Sequence, residues 1–303
     1  MDPTLILNQV LILFIIMLTG FAAGKAGIID ATGSKKLGEV MLFVTSPMMV
    51  FKAFFITFTT ERFINILWIM GMALSMFLLA ILLSKLIYGR FPEDKAPILR
   101  FCAIFSNCGY MGLPVMQALY GDEGVFYGSF YIVCFHIVLW TYGYVMFGGR
   151  GTKRQIIRKV FTNPSIIAVY MGMVVFIFGI PIPEPVEKAV AAVGNMTMPI
   201  SMLIIGGVIS SARLKEIISD WRVYLSASVR LLLMPLIALA LTRIPGIPDL
   251  PAAVLVTALA MPAAANTTVF AEMFNKDAIF ASKCVSVSTL LSIATIPLVV
   301  SLI

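Results

Sequence analysis

The chain has 303 residues, of which 60% are hydrophobic and only 12% are charged. A soluble domain carries about 25% charged residues, so the composition excludes that class and indicates a membrane protein with several spans. The net charge is +7, but the basic residues lie between apolar runs. Membrane topology therefore explains the excess of positive charge, and we expect no nucleic-acid partner.

Apolar runs along the chain predict an all-α polytopic membrane protein with ten transmembrane helices, whose first partner is the lipid bilayer. Each run is long enough to cross the hydrocarbon core, and the connections between runs are short. The predicted spans, numbered 1 to 10, cover residues 5–24, 36–57, 63–88, 97–119, 124–147, 163–181, 187–211, 222–243, 250–273 and 279–302.

Lysine and arginine residues lie mainly in the connections that follow the odd-numbered spans. Cytoplasmic connections carry such an excess of basic residues, so these connections are predicted to face the cytoplasm. Both termini are then extracytoplasmic. We expect the chain to lie in the plasma membrane, which is the inner membrane of a bacterium.

The two halves of the chain resemble each other at a nearly constant offset. Residues 36–47 match residues 188–199, and residues 118–126 match residues 272–280. A repeat of five spans crosses the membrane an odd number of times, which forces the second copy to be inverted.

This symmetry predicts three parts. The first five-helix repeat covers residues 1–148, a basic cytoplasmic connection covers residues 149–160, and the second, inverted five-helix repeat covers residues 161–303.

Spans 4 and 9, at matching places in the two repeats, are each interrupted by residues that disfavour a helix. The first interruption covers residues 106–114 and the second covers residues 261–268. Gly, Pro and Asn are poor helix-interior residues, and an unpaired backbone group is strongly unfavourable in hydrocarbon. Such breaks persist where they line a cavity, and paired interrupted helices are typical of a transporter's substrate site.

If spans 4 and 9 unwind and cross near the membrane midplane, two half-helix N-termini converge there. Their partial positive charge and unpaired N–H groups suit an anion, and nearby amides and hydroxyls add donors. The predicted substrate-binding residues are Asn107, Cys108, Gly109, Asn266, Thr267 and Thr268. The carbonyls and C-terminal ends of the same half-helices could instead hold a cation such as sodium, and the residues leave both alternatives open.

Five further residues are predicted to shape this crossover rather than to bind the substrate. Gly112, Pro114 and Pro262 would keep the two segments from closing into continuous helices. Pro47 and Pro199 occupy matching positions in spans 2 and 7, where each marks either a crossover support or a simple kink.

Four polar residues form a second tier of candidates for coupling or binding: Ser106, Gln117, His136 and Arg230. His136 falls near the middle of span 5, where it could relay protons or simply be hydrogen-bonded within the bundle. Arg230 lies within span 8 and could supply countercharge, pair structurally or extend toward the membrane surface. The Gly20 to Gly24 spacing is a GxxxG pattern, which predicts helix packing.

Signals for catalysis, metal binding and cofactors are absent from the sequence. Residues 20–26 resemble a phosphate-binding loop but are one residue short and end in Lys-Ala, so they fail the Walker pattern. A single histidine cannot build a multi-histidine metal site. We therefore expect a protein that is not an enzyme, without cofactor or metal, and the choice between sodium and proton as coupling ion is left open.

Two motifs at the interruptions carry a resemblance to a known family. Residues 107–114, Asn-Cys-Gly-Tyr-Met-Gly-Leu-Pro, are followed by Ala-Leu-Tyr-Gly at 118–121. This run resembles the Asn-x-x-x-Met-Gly-Ile-Pro…Ala-Met-Tyr-Gly signature of the auxin efflux carrier family. Met261-Pro262 and the Val-Phe-Ala at 269–271 resemble the second crossover of that family. The resemblance covers essentially the whole chain, as a compact prokaryotic member without the long central loop of the plant exporters.

The resemblance implies a crossover-helix fold, like that of bile-acid symporters and sodium/proton antiporters. It also implies a mobile unit that rocks against a scaffold, a substrate carboxylate near Asn107, and a homodimer. Ser106 and Thr267 stand where the plant pattern has prolines, so auxin is not carried over as the substrate.

The leading hypothesis is a secondary carrier that moves a small organic carboxylate by an elevator-type motion, with the substrate at the crossover of helices 4 and 9. A sodium- or proton-coupled symporter or antiporter of another solute is the first alternative. An anion channel is the second, although no ring of charged residues indicates a pore.

Overall fold

A computed structural model describes residues 3–148, 161–211 and 220–303, and these residues form helices with no β-strand among them. The α-helices, numbered here in chain order, are α1 (Pro3–Lys25), α2 (Ala31–Val40), α3 (Ser46–Lys52), α4 (Thr60–Tyr88), α5 (Ala96–Ile104), α6 (Leu113–Val138), α7 (Tyr144–Met146), α8 (Pro164–Phe178), α9 (Glu184–Asn195), α10 (Thr197–Ser211), α11 (Trp221–Ser228), α12 (Met234–Thr242), α13 (Asp249–Ala260), α14 (Asn266–Met273) and α15 (Ala278–Val300). The all-helical prediction is confirmed. The predicted basic connection at 149–160 lies outside the described residues.

Five helical runs in the described part of the chain are long and apolar enough to cross a membrane. They are Thr60–Tyr88, Cys108–Met146, Glu184–Ser210, Trp221–Thr242 and Ala278–Val300, and Leu11–Lys25, Pro164–Phe178 and Asp249–Ala260 are shorter apolar helices. These runs support a polytopic membrane protein. The ten-helix inverted repeat stays a prediction.

One long run, Cys108–Met146, contains a sharp bend at Gly121, where φ is 63° and ψ is −152°. Only glycine adopts this backbone conformation without strain, so the kink between the two helical parts can form here. Two ion pairs hold the bend, one between Lys52 and Asp122 and one between Arg62 and Glu123. The bend separates the parts of this run that the sequence predicts as spans 4 and 5.

The chain divides into two compact units, and each takes segments from both predicted repeats. Unit 1 comprises Met1–Leu67, Tyr110–Phe130 and Phe161–Ala212. Unit 2 comprises Trp68–Gly109, Tyr131–Val160 and Arg213–Ile303.

Within unit 1, helices α1 and α10 pack closely through glycines on both sides. A Cβ at Gly20 would lie 2.5 Å from the carbonyl oxygen of Leu203, and a Cβ at Gly206 would lie 2.0 Å from that of Met17. Only a hydrogen fits at such distances, and small residues let membrane helices approach in this way. The prediction that the Gly20 to Gly24 pattern serves helix packing is confirmed.

Prolines explain where several helices widen into π-helical turns. Three of the four π turns in the described residues, Met41–Thr45, Cys108–Gly112 and Val229–Leu233, lie immediately before an α-helix whose second residue is proline. Proline has no N–H and its ring collides with the carbonyl four residues earlier, so the preceding turn must open. These prolines are Pro47, Pro114 and Pro235.

The π turn before Pro114 leaves one backbone carbonyl without a helical donor. The carbonyl four residues earlier belongs to Tyr110, and proline cannot donate to it. In unit 1 the hydroxyl of Ser201 donates to the Tyr110 oxygen instead. A side chain from α10 thus satisfies the backbone group that the proline leaves open.

We expect Gly206→Ala to lower the thermal unfolding temperature of the detergent-solubilised protein, because the added methyl group would force α1 and α10 apart. Overpacking of this kind costs about 1–3 kcal/mol. Gly71→Ala is the matched control, since nothing lies within 4 Å of its added Cβ on α4. Equal unfolding temperatures for the two variants would contradict the packing described here.

Candidate functional site

The two interrupted segments pair with each other within unit 2. Helix α5 ends at Ile104 and helix α13 ends at Ala260, and the residue after each adopts an extended conformation. The N–H of Asn107 donates to the carbonyl of Pro262 (2.7 Å), and the N–H of Ala264 donates to the carbonyl of Phe105 (3.0 Å). This short antiparallel bridge satisfies backbone groups that would otherwise be unpaired in hydrocarbon.

The interruptions are shorter than the sequence indicates. The first is extended only at residues 105–107, because Cys108–Gly112 is a π turn that leads into α6. Gly112 is buried in that turn, and Pro114 occupies the second position of α6, where a proline is tolerated. The second interruption covers residues 261–265, because α14 begins at Asn266.

Three polar side chains beside the bridge have no hydrogen-bond partner within the described residues: Asn107, Asn266 and Thr268. Asn107 is 7% exposed, and the part that stays accessible includes its amide. Asn266 and Thr268 are half-buried in the first turn of α14. Each amide has two donors and an acceptor, so side chains without a protein partner are free to bind a ligand.

The other predicted binding residues have different surroundings in unit 2. Thr267 is buried, and its hydroxyl donates to the Ala264 carbonyl (2.6 Å), which closes the first turn of α14. Cys108 carries a buried free thiol. A Cβ placed at Gly109 would meet no atom within 4 Å, so this backbone borders open space. The structure therefore places the Gly109 backbone beside open space, whereas Thr267 forms a hydrogen bond within the protein.

Ser106 and Arg230 also lie at the bridge. The Ser106 and Tyr131 hydroxyls are 3.5 Å apart. Arg230 is completely buried, and its three nitrogens donate to carbonyls at the ends of α5 and α13. Both second-tier residues thus lie at the paired interruptions of unit 2.

The remaining predicted residues lie elsewhere in their units. Gln117 donates to Asp122 (3.0 Å) beside the bend of α6. His136 packs edge-on against Phe135, and its Nδ1 has no partner among the described residues. Pro47 follows the π turn of span 2, and Pro199 lies in the first turn of α10, where the helical run from α9 is interrupted at Met196.

Ser288 on α15 is a component that sequence reasoning missed. Its hydroxyl accepts the N–H of Ala263 (3.1 Å) and donates to the Val285 carbonyl (2.9 Å). A serine in an apolar helix gives no signal of such a role, because its partner is distant in the sequence. This contact satisfies the N–H of Ala263, which neither hydrogen bond of the bridge involves.

Comparisons with known proteins agree on one class, membrane transport proteins. Residues 5–300 match the family described as "Membrane transport protein". An uncharacterized transporter of Methanocaldococcus jannaschii is 24% identical over 302 residues, which cover 96% of this chain and 97% of that protein. An uncharacterized transporter of Methanothermobacter thermautotrophicus is 22% identical over 312 residues, covering 96% of each.

We expect Ser288→Ala to lower the unfolding temperature, because it leaves the buried N–H of Ala263 without its acceptor. An unsatisfied buried donor costs about 1–3 kcal/mol. Ser292→Ala is the matched control, since that serine is equally buried on α15 but bonds only to the Thr289 carbonyl of its own helix. If both variants lost the same stability, Ser288 would have no special role at the second interruption.

Proposed function

We propose that this chain, which belongs to the auxin efflux carrier family of membrane transport proteins, is a secondary carrier of a small organic carboxylate anion. The family match covers nearly the whole chain and confirms the resemblance that the two crossover motifs indicate. Both relatives are named as transporters rather than enzymes. The chain is therefore an integral membrane transporter, and its substrate and mechanism are what we propose.

The amide of Asn107, which has no hydrogen-bond partner among the described residues, is the observation that supports a carboxylate substrate. The amide NH2 has two donors for a carboxylate oxygen, and it lies next to the backbone bridge of unit 2. Asn266 and Thr268 add donors from the first turn of α14. The N-terminal end of this helix also carries partial positive charge, which favours an anion.

A site of this composition suits a carrier because it binds through dipoles and neutral donors. Within the described residues, Asn107, Asn266 and Thr268 bring no charged group of their own to the substrate. Neutral hydrogen bonds are weaker than a buried ion pair, which allows release as well as binding.

The transport cycle that we propose is an elevator-type motion. Unit 2 holds the bridge and the candidate ligands, so it is the part that would carry the substrate. In this proposal the two five-helix repeats are inverted, both termini are extracytoplasmic, and the protein functions as a homodimer in the plasma membrane. The basic residues after the odd-numbered spans support the orientation.

Flux in proteoliposomes tests the proposal directly. Purified protein should transport one or more acids from a panel of mono- and dicarboxylates, and Asn107→Ala should lower that flux about 10- to 100-fold. The expected loss corresponds to a hydrogen bond to a charged group, about 1.5–3 kcal/mol. Asn65→Ala is the control, because that amide bonds to Tyr127 in unit 1.

Two results would count against this function. The first is a protein that transports none of the acids tested, and the second is an Asn107→Ala variant whose flux equals that of the unmodified protein. Dependence on an imposed sodium or pH gradient would favour the coupled alternatives. Single-channel currents would favour a channel.

A further inference from the structure

The ends of α5 and α13 form a carbonyl-rich pole in unit 2. Each helix stops at the bridge, so its last carbonyls have no intrahelical partner and carry the negative end of the helix dipole. The bond between Phe105 and Ala264 brings the two interrupted segments together. Two negative ends in one apolar region repel each other, and a cation between them offsets this repulsion.

The guanidinium of Arg230 supplies that cation. Its Nη1 donates to Ala103 (3.0 Å), its Nη2 to Leu259 (2.6 Å) and its Nε to Met261 (3.1 Å). The first carbonyl belongs to the end of α5 and the other two to the end of α13 and the residue that follows it. One planar group thus bonds to both interrupted helices at once.

No carboxylate neutralises Arg230 within the described residues, because every ion pair found there involves other cations. All three of its acceptors are backbone oxygens. A buried charge without a carboxylate partner is unfavourable unless the surrounding dipoles stabilise it. The two helix ends are those dipoles, so the arginine and the interruptions depend on each other.

The local fold fixes the position of this side chain. Arg230 lies in the π turn Val229–Leu233, which Pro235 requires, and π turns change the direction of the side chains that they carry. The residue is 0% exposed, so it does not extend toward the membrane surface. The turn therefore directs the charged guanidinium toward the ends of α5 and α13.

We infer that Arg230 is a resident cation of the crossover, which positions the two half-helix ends and takes the place that a diffusible cation would need there. Unwound carbonyls and half-helix C-termini are the groups with which transporters coordinate sodium. Here three of these oxygens already bind a guanidinium. The consequence for transport rests on the proposed function, whereas the consequence for stability does not.

Chemical rescue of Arg230→Ala tests the inference. The variant should have a lower unfolding temperature and should lose about 10-fold or more of the carboxylate flux, since a buried positioning charge is removed. Guanidinium at millimolar concentration should restore part of the unfolding temperature and part of the flux, because it fits the vacated space between the carbonyls. Arg243→Ala is the matched control, because this exposed arginine also donates to a carbonyl, that of Leu302. Guanidinium should change neither the unfolding temperature nor the flux of this variant.

A second measurement applies if Arg230→Ala does not fold. For the unmodified protein, unfolding temperature and flux should be equal in sodium, potassium and choline salts. Arg230→Lys keeps the charge but lacks the planar fork, so it should fold with lower stability than the unmodified protein.

The inference is overturned if Arg230→Ala matches the unmodified protein, if guanidinium restores neither property, or if sodium raises the unfolding temperature of the unmodified protein. A protein that transports no carboxylate would contradict the proposed function alone, because rescue of stability by guanidinium would still test Arg230.

Discussion

The structure of unit 2 depends on the mutual satisfaction of two interrupted helices. A membrane helix that stops inside hydrocarbon leaves several backbone groups unpaired, and each such group is strongly unfavourable. Here the extended residues after α5 and α13 pair with each other through two hydrogen bonds, and Arg230 binds the carbonyls that the pairing leaves over. Neither interruption would be stable without the other, so the sequence must encode both.

Proline places the irregular turns on which this arrangement rests. Pro235 requires the π turn that carries Arg230, and Pro114 requires the turn that follows the first interruption. Pro262 contributes differently, because its carbonyl accepts the Asn107 N–H within the bridge. For Pro235 and Pro114 the missing N–H opens backbone geometry that other residues then use.

The presence of the interruptions could be predicted from the sequence, but their extent could not. Clusters of Gly, Pro and Asn mark residues 106–114 and 261–268 as poor helix, and the structure has breaks at 105–107 and 261–265. The difference arises because proline near a helix start is tolerated, and the π turn at Cys108–Gly112 absorbs the two glycines. Helix propensity reports on single residues and does not show which neighbouring groups will restore the hydrogen bonds.

Partners that are distant in the sequence account for what sequence reasoning left open. Arg230 could be placed within a span, but its acceptors at Ala103, Leu259 and Met261 follow only from the fold. Ser288 carries no motif at all, although it supports the second interruption. Thr267 stays a predicted ligand, and the structure adds that its hydroxyl closes the first turn of α14.

An experimental density map of the protein in a lipid nanodisc, with a transported carboxylate at saturating concentration, would test this account most directly. We expect ligand density within hydrogen-bond distance of the Asn107 amide and the first turn of α14, with Arg230 bound to its three carbonyls. Continuous helices through residues 105–107 and 261–265, or a ligand bound away from Asn107, would contradict it.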